Sequence, residues 1–174
     1  MSTCLMATGR KLPCKDVVGG IKTVYFADYG TLGTLTITAG TLTAVSGSGT
    51  NWYKYEVKGG NNLEQTITSS DENGTTFYAQ TITAVLTKMD VATQVELQKV
   101  VSQRPHCFVE DNNGNYFAVG LTRGCNVNGK VSTGTALGDM NGYTLTITAE
   151  EPILAPFVTG SVVTSHTSST QITP

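Results

Sequence analysis

Polar and apolar residues alternate with a period of two along much of this chain, the pattern of strands with one buried and one hydrated face. Thr34 to Thr38 reads Thr-Leu-Thr-Ile-Thr, which sets Leu35 and Ile37 on one face and threonine on the other. The same five residues recur at Thr144 to Thr148, and Gln65-Thr66-Ile67-Thr68 is echoed by Gln80-Thr81-Ile82-Thr83. Their spacing is too irregular for a solenoid. The shared chemistry is Leu or Ile on the core side and Thr, a strong strand former, on the wet side. Lys22 to Asp28 is β-branched and aromatic and predicts a further strand. Between Trp52 and Lys58, Tyr53, Tyr55 and Val57 alternate with Lys54, Glu56 and Lys58, so Trp52 is expected on the polar face.

Turn chemistry joins these runs. Leu63 to Ser69 and Thr75 to Lys88 flank Ser70-Asp71-Glu72-Asn73-Gly74, whose Asn-Gly pair tolerates positive φ and predicts a hairpin. Its second arm is far longer than the usual five or six residues, so part of it is expected to project beyond the core and to need a partner. His106 to Glu110 and Asn115 to Leu121 form a second hairpin across Asp111-Asn112-Asn113-Gly114. A last long strand is expected at Tyr143 to Ala149, after Asp139-Met140-Asn141-Gly142. One helix is predicted from Asp90 to Gln103: Asp90 caps it, Thr93 and Glu96 have capping-box spacing, and Pro105 closes it. Its apolar residues Val91, Val95, Leu97 and Val101 make only a broad stripe.

At 174 residues the chain suits one domain, read as a single β domain over 1–158 and a Ser/Thr-rich C-terminal arm over 159–174, flexible or ordered on assembly. The fold class is mainly β: an antiparallel β-sandwich or squashed barrel with one flanking α-helix and a long hairpin. Charged residues make up 14%, against roughly 25% in ordinary globular proteins. A surface of Thr, Ser, Asn and Gly is hydrated yet barely repels its own copies. The net charge of −2 provides no basic footprint for gripping phosphates. No charged segment followed by an apolar run opens the chain, and no stretch approaches a membrane span, so the expected place of synthesis and residence is the cytosol.

Candidate chemistry is sparse, and no catalytic residue, cofactor or metal is expected. Cys4, Cys14, Cys107 and Cys125 have no metal-ligand spacing and read as free thiols, although a Cys4–Cys14 disulfide is an alternative. The two histidines are His106, after a proline at a strand start, and His166, in the tail. A hydrolase would need His106 as its base. Glu150 and Glu151 are neighbours on a strand and point to opposite faces. Asp111 to Asn115 imitates a calcium loop but has Tyr116 and Thr122 where glycine and a bidentate glutamate belong. Gly47-Ser48-Gly49-Thr50 lacks a P-loop lysine, and Asn73-Gly74-Thr75 is an incidental glycosylation sequon. Trp52, Tyr53 and Tyr55 suggest an alternative function, a non-catalytic β-sandwich adhesin or carbohydrate-binding module that stacks sugars on its rings.

Three blocks carry a resemblance: Phe108-Val109-Glu110-Asp111-Asn112-Asn113-Gly114-Asn115-Tyr116, then Thr133-Gly134 through Gly138-Asp139-Met140-Asn141-Gly142-Tyr143-Thr144-Leu145, then Glu150-Glu151-Pro152. They resemble the C-terminal half of tail-tube-like virion proteins of tailed bacteriophages, those of Bacteroides phages especially, and Cys14 to Lys22 resembles their start. The resemblance implies two packed sheets, one helix and a long hairpin. It further implies a homo-oligomer, a hexameric ring in the tail or neck, contacting adjacent tail or neck proteins and passing genomic DNA through its channel as cargo. The implied location is the virion, assembled in the bacterial host cytoplasm. Closing a ring pairs edge strands that would otherwise aggregate.

Overall fold

The computed structural model describes residues 8–47 and 51–173. Among them lie eleven strands and two helices: β1 (Ile21–Ala27), β2 (Leu35–Thr38), β3 (Thr41–Val45), β4 (Tyr53–Glu56), β5 (Asn62–Ser70), β6 (Thr75–Thr87), α1 (Val91–Ser102), β7 (His106–Asp111), β8 (Tyr116–Val119), β9 (Asn126–Ser132), β10 (Gly142–Glu151), β11 (Phe157–Val158) and α2 (Gly160–His166). A seven-stranded sheet runs β2-β3-β11-β8-β7-β1-β4, and a four-stranded sheet runs β5-β6-β10-β9. The fold is mainly β and a sandwich, with α1 on its flank. All strand pairs are antiparallel except β11 with β3, which is parallel.

The main core lies between the sheets. Val24, Phe26, Cys107, Val109 and Val119 come from the larger sheet, and Ile82, Ala84, Val127, Leu145, Ile147 and Ala149 from the smaller. Alternation dictates this, because Ile82 pairs with Ile147 across β6 and β10 and Ile147 with Val127 across β10 and β9, one continuous inward row. Helix α1 docks through Leu97, its one buried residue, a burial that contributes about 1.5–3 kcal/mol. The Asp90 carboxylate accepts the Ala92 and Thr93 amides at 2.8 and 3.1 Å and also the Thr93 hydroxyl. The cap is therefore Asp90 alone, while Glu96 pairs with Lys99 at 2.6 Å instead of closing a box with Thr93.

A second core covers the other face of the larger sheet. Tyr25, Phe108, Ala118 and Leu42 meet Trp52, Val158, Val162 and Val163 there. The segment after Thr159, read as an arm, forms α2 and buries Val162 and Val163. Its end is tied to Trp52: the Trp52 amide donates to His166 O at 2.8 Å and the Ser168 amide donates to Trp52 O at 2.9 Å. The division at 158 thus falls inside a packed cluster. Two adjacent valines in a run of Ser and Thr are a weak sequence signal, and they act only because an apolar sheet face waits for them.

Local turns differ in one respect from expectation. The β5–β6 hairpin closes with Ser70 opposite Thr75, so its loop is Asp71-Glu72-Asn73-Gly74, and only Gly74 takes positive φ, at 60°. Asn73 keeps ordinary backbone and bonds the Ser70 hydroxyl through both its amide and its side chain. The two-residue turn with paired positive φ occurs instead between β2 and β3, at Ala39 and Gly40.

Candidate functional surface

The outward face of the four-stranded sheet is rich in threonine, interrupted on β6 by Val85, Ala79 and Phe77. Thr81, Thr83, Thr144, Thr146 and Thr148 occupy alternate positions of β6 and β10, with Asn126 and Asn128 beside them on β9 and Thr66 and Thr68 on β5. The register lines up Thr83 with Thr146 and Asn128, and Thr81 with Thr148 and Asn126. Thr81, Thr83, Thr144, Thr146 and Thr148 are half-buried by their own neighbours yet reach solvent. Charges on this face are Glu64, Glu150 and Lys130. A hydroxyl wall with so few cations cannot grip phosphates by counterion release.

The β5–β6 hairpin extends this sheet past its neighbours. Strand β10 ends opposite Tyr78, so Thr75, Thr76 and Phe77 of β6 and the paired end of β5 overhang the sandwich. Ile67 and Phe77 are exposed there on opposite faces. Among the described residues no strand lies beside the outer edge of β5 over its nine residues. From Gly59 to Thr87 the charged residues are Glu64, Asp71 and Glu72, so the hairpin is wholly acidic. Gln65 and Gln80 mark the base of the overhang: Gln65 Oε1 accepts the Ala155 amide at 2.8 Å, and Gln80 Nε2 donates to Ile153 O at 3.2 Å.

The residues singled out for chemistry are scattered, and most are occupied by structural bonds. His106 is buried, with Nδ1 donating to Gly120 O at 2.7 Å and Nε2 accepting the Gly30 amide at 3.2 Å. Burial holds its imidazole below the ordinary value, against the opposing pull of the Gly120 carbonyl and Glu151. Tyr29 stacks on it at 5.2 Å. His166 lies on Trp52 at the same centroid distance, near the end of α2. Glu151 points inward and accepts the Thr122 and Arg123 amides at 2.9 and 3.1 Å, whereas Glu150 points out, as their adjacency requires.

Asp111 does not open a metal loop. Its carboxylate accepts the amides of Asn113 and Asn115 at 2.9 and 2.7 Å and the side-chain nitrogens of both. Desolvation is the largest single influence and pushes the other way, but the four donors together hold its pKa below the usual range. Among the described residues no group of three or more His, Cys, Asp or Glu side chains has metal-binding geometry. Cys107 and Cys125 are buried free thiols; burial, then the neighbouring Cys125, pushes the Cys107 thiol up. Cys14 is exposed, and Cys4, with the disulfide suggested for it, lies outside the described residues, as does most of the Gly47 to Thr50 loop.

Trp52 corrects an expectation. Its parity is as read, on the face opposite Val57, but that face is not wet. The ring is 0% exposed, stacked on Phe108 at 3.8 Å and 11°, under the C-terminal segment. It is unavailable to a sugar. Tyr55 is half-buried against Phe26, and burial, then Glu96 and Tyr53, push its phenol up to about 12. Alternation alone did not reveal the Glu110 cluster on the outer sheet face, where the carboxylate takes Tyr25 Oη and Lys22 Nζ at 3.4 Å each. No helix among the described residues is long and apolar enough to cross a membrane.

Comparison of the chain with family models, with curated proteins and with solved structures finds no match to any of them.

Proposed function

We propose that this chain is a structural component of the tail or neck of a tailed-phage virion, forming hexameric rings or a tube whose channel conducts DNA during ejection. The observation that carries the reading is the threonine face of the β5-β6-β10-β9 sheet, joined to a hairpin that overhangs the sandwich with a bare edge. A duplex must pass through such a conduit without being held. A wall of hydroxyls and amides hydrates a polyanion while offering it almost no cation, so neither capture nor strong repulsion impedes passage. The overhanging hairpin gives each copy something to pair with, and ring closure removes the edges that would otherwise aggregate. The phage assignment within this class rests on the resemblance of Cys14 to Lys22, Phe108 to Tyr116, Thr133 to Leu145 and Glu150 to Pro152 to tail-tube-like virion proteins.

Native mass measurement and negative-stain microscopy of the purified protein test this. Rings or tubes with an open centre are the expected result, and a strictly monomeric species at high concentration counts against it. Removing two residue pairs from the overhang, Ser69-Ser70 with Thr75-Thr76, is expected to leave the sandwich folded and to prevent assembly. Unchanged assembly would refute the hairpin's role.

A further inference from the structure

Residues 8–17 are an arm that the rest of the described chain does not hold. Every one of them is exposed, Leu12 at 98%, and residues 8–17 make no hydrogen bond with any other described residue. The arm leaves the body at a built clasp. Asn113 brackets Val18, accepting its amide at 2.9 Å and donating to its carbonyl at 2.7 Å, while Asn112 donates to Gly19 O at 2.8 Å. Gly20 turns the chain with φ at 92°, and a Cβ there would meet the Asn112 side chain at 3.0 Å. Below this clasp the arm carries Arg10, Lys11 and Lys15 against a single acid, Asp16.

The hairpin has the complementary properties: a nine-residue strand whose outer edge meets no other strand among the described residues, an exposed Ile67, and Glu64, Asp71 and Glu72 as its charges. We infer that residues 10–16 of one copy add as an antiparallel strand to the free edge of β5 in a second copy, with Lys15 opposite Glu64 and Leu12 opposite Ile67. In this register Arg10 and Lys11 lie beside the acidic loop of the tip, and Leu12 covers Ile67 on its own face of the sheet. Main-chain bonds supply the pairing and the opposite charges select the partner. Pro13, which has no amide to donate, is compatible with an edge strand when its nitrogen faces away from β5. The inference rests on the reading that copies assemble, and names the strand that seals the seam between them.

Two experiments on the full-length chain separate it from that reading. First, Lys15→Glu is expected to raise the concentration needed for assembly about tenfold, and Glu64→Lys in the same chain is expected to restore it. Assembly unaffected by Lys15→Glu, or lost with no rescue, overturns the arm contact while leaving rings in place as a separate result. Second, copies carrying Leu12→Cys are mixed with copies carrying Ile67→Cys, both in a Cys4→Ser, Cys14→Ser background, and oxidised mildly. A disulfide between the two kinds of copy is expected. Its absence from assembled material, or a disulfide that forms only within one chain when both cysteines are placed together, overturns the inference. A protein that stays monomeric under all conditions removes both readings at once.

Discussion

His106 illustrates what burial asks of a titratable side chain. Both ring nitrogens are used, one as donor and one as acceptor, so the fold holds the neutral imidazole. The folded chain binds a proton less readily than the unfolded chain, whose histidine titrates near 6.5. Stability is therefore complete above that value and declines as pH falls through it. The denaturation midpoint of the wild type is expected to drop between pH 7 and 5, and His106→Gln to flatten the slope; an unchanged slope would assign it to another group. Asp111 and Asp139, both held below their usual range by hydrogen bonds, act in a separate window, stabilising above about pH 4 and ceasing to do so below it. Gly142 is a steric case. A Cβ there would stand 2.1 Å from Leu86 O on the paired strand, so Gly142→Ala is expected to cost about 1–3 kcal/mol, read as a shift in urea midpoint. Neither role could be read from the sequence, since His106 and Gly142 acquire their neighbours only through contacts with distant segments.

At the scale of elements, signals that act locally were legible and those that depend on a distant partner were not. Helix α1 was legible to within a residue at each end, because Asp90 and Pro105 act on adjacent backbone. Replacing Asp90 with Ala is expected to lower the thermal midpoint and Asp90→Ser to keep most of it, measured by far-UV dichroism. The long hairpin was legible in the same way, as two Thr-rich arms around a polar loop. By contrast β3 went unread, because its turn uses Ala39 at φ 50°, a conformation that alanine seldom takes and that its sequence does not advertise. Strand β9, Asn-Val-Asn-Gly-Lys-Val-Ser, lacks strand-forming composition and owes its conformation to pairing with β10. The candidate surface was half legible: threonine was read as the wet side of each strand, but that the wet sides share one face follows only from the register.

For the whole molecule, the larger sheet is covered on both faces, and its second cover comes from Trp52 and residues 160–168. A chain stopped after Thr159 is expected to keep its inter-sheet core and open the other. Trp52 is the sole tryptophan, so its emission should shift to the red, with no such shift if α2 is dispensable. Charge on the threonine face matters at this scale as well. Thr81→Lys with Thr146→Lys is expected to preserve folding and ring formation but to make the assemblies retain duplex DNA in a salt-dependent manner, measured by filter binding. Retention equal to wild type would place the DNA path elsewhere.

The contact between Trp52 and the end of α2 also sets a schedule. During synthesis the inter-sheet core can close once β10 has been made, but Phe108, Leu42 and the indole of Trp52 must wait with an apolar face open until residues 160–168 appear. For that interval the nascent molecule presents an apolar surface that the finished fold covers. The two valines of α2 are thus a latch as well as a cover, and any delay in adding them lengthens the time during which the chain can stick to the wrong neighbour.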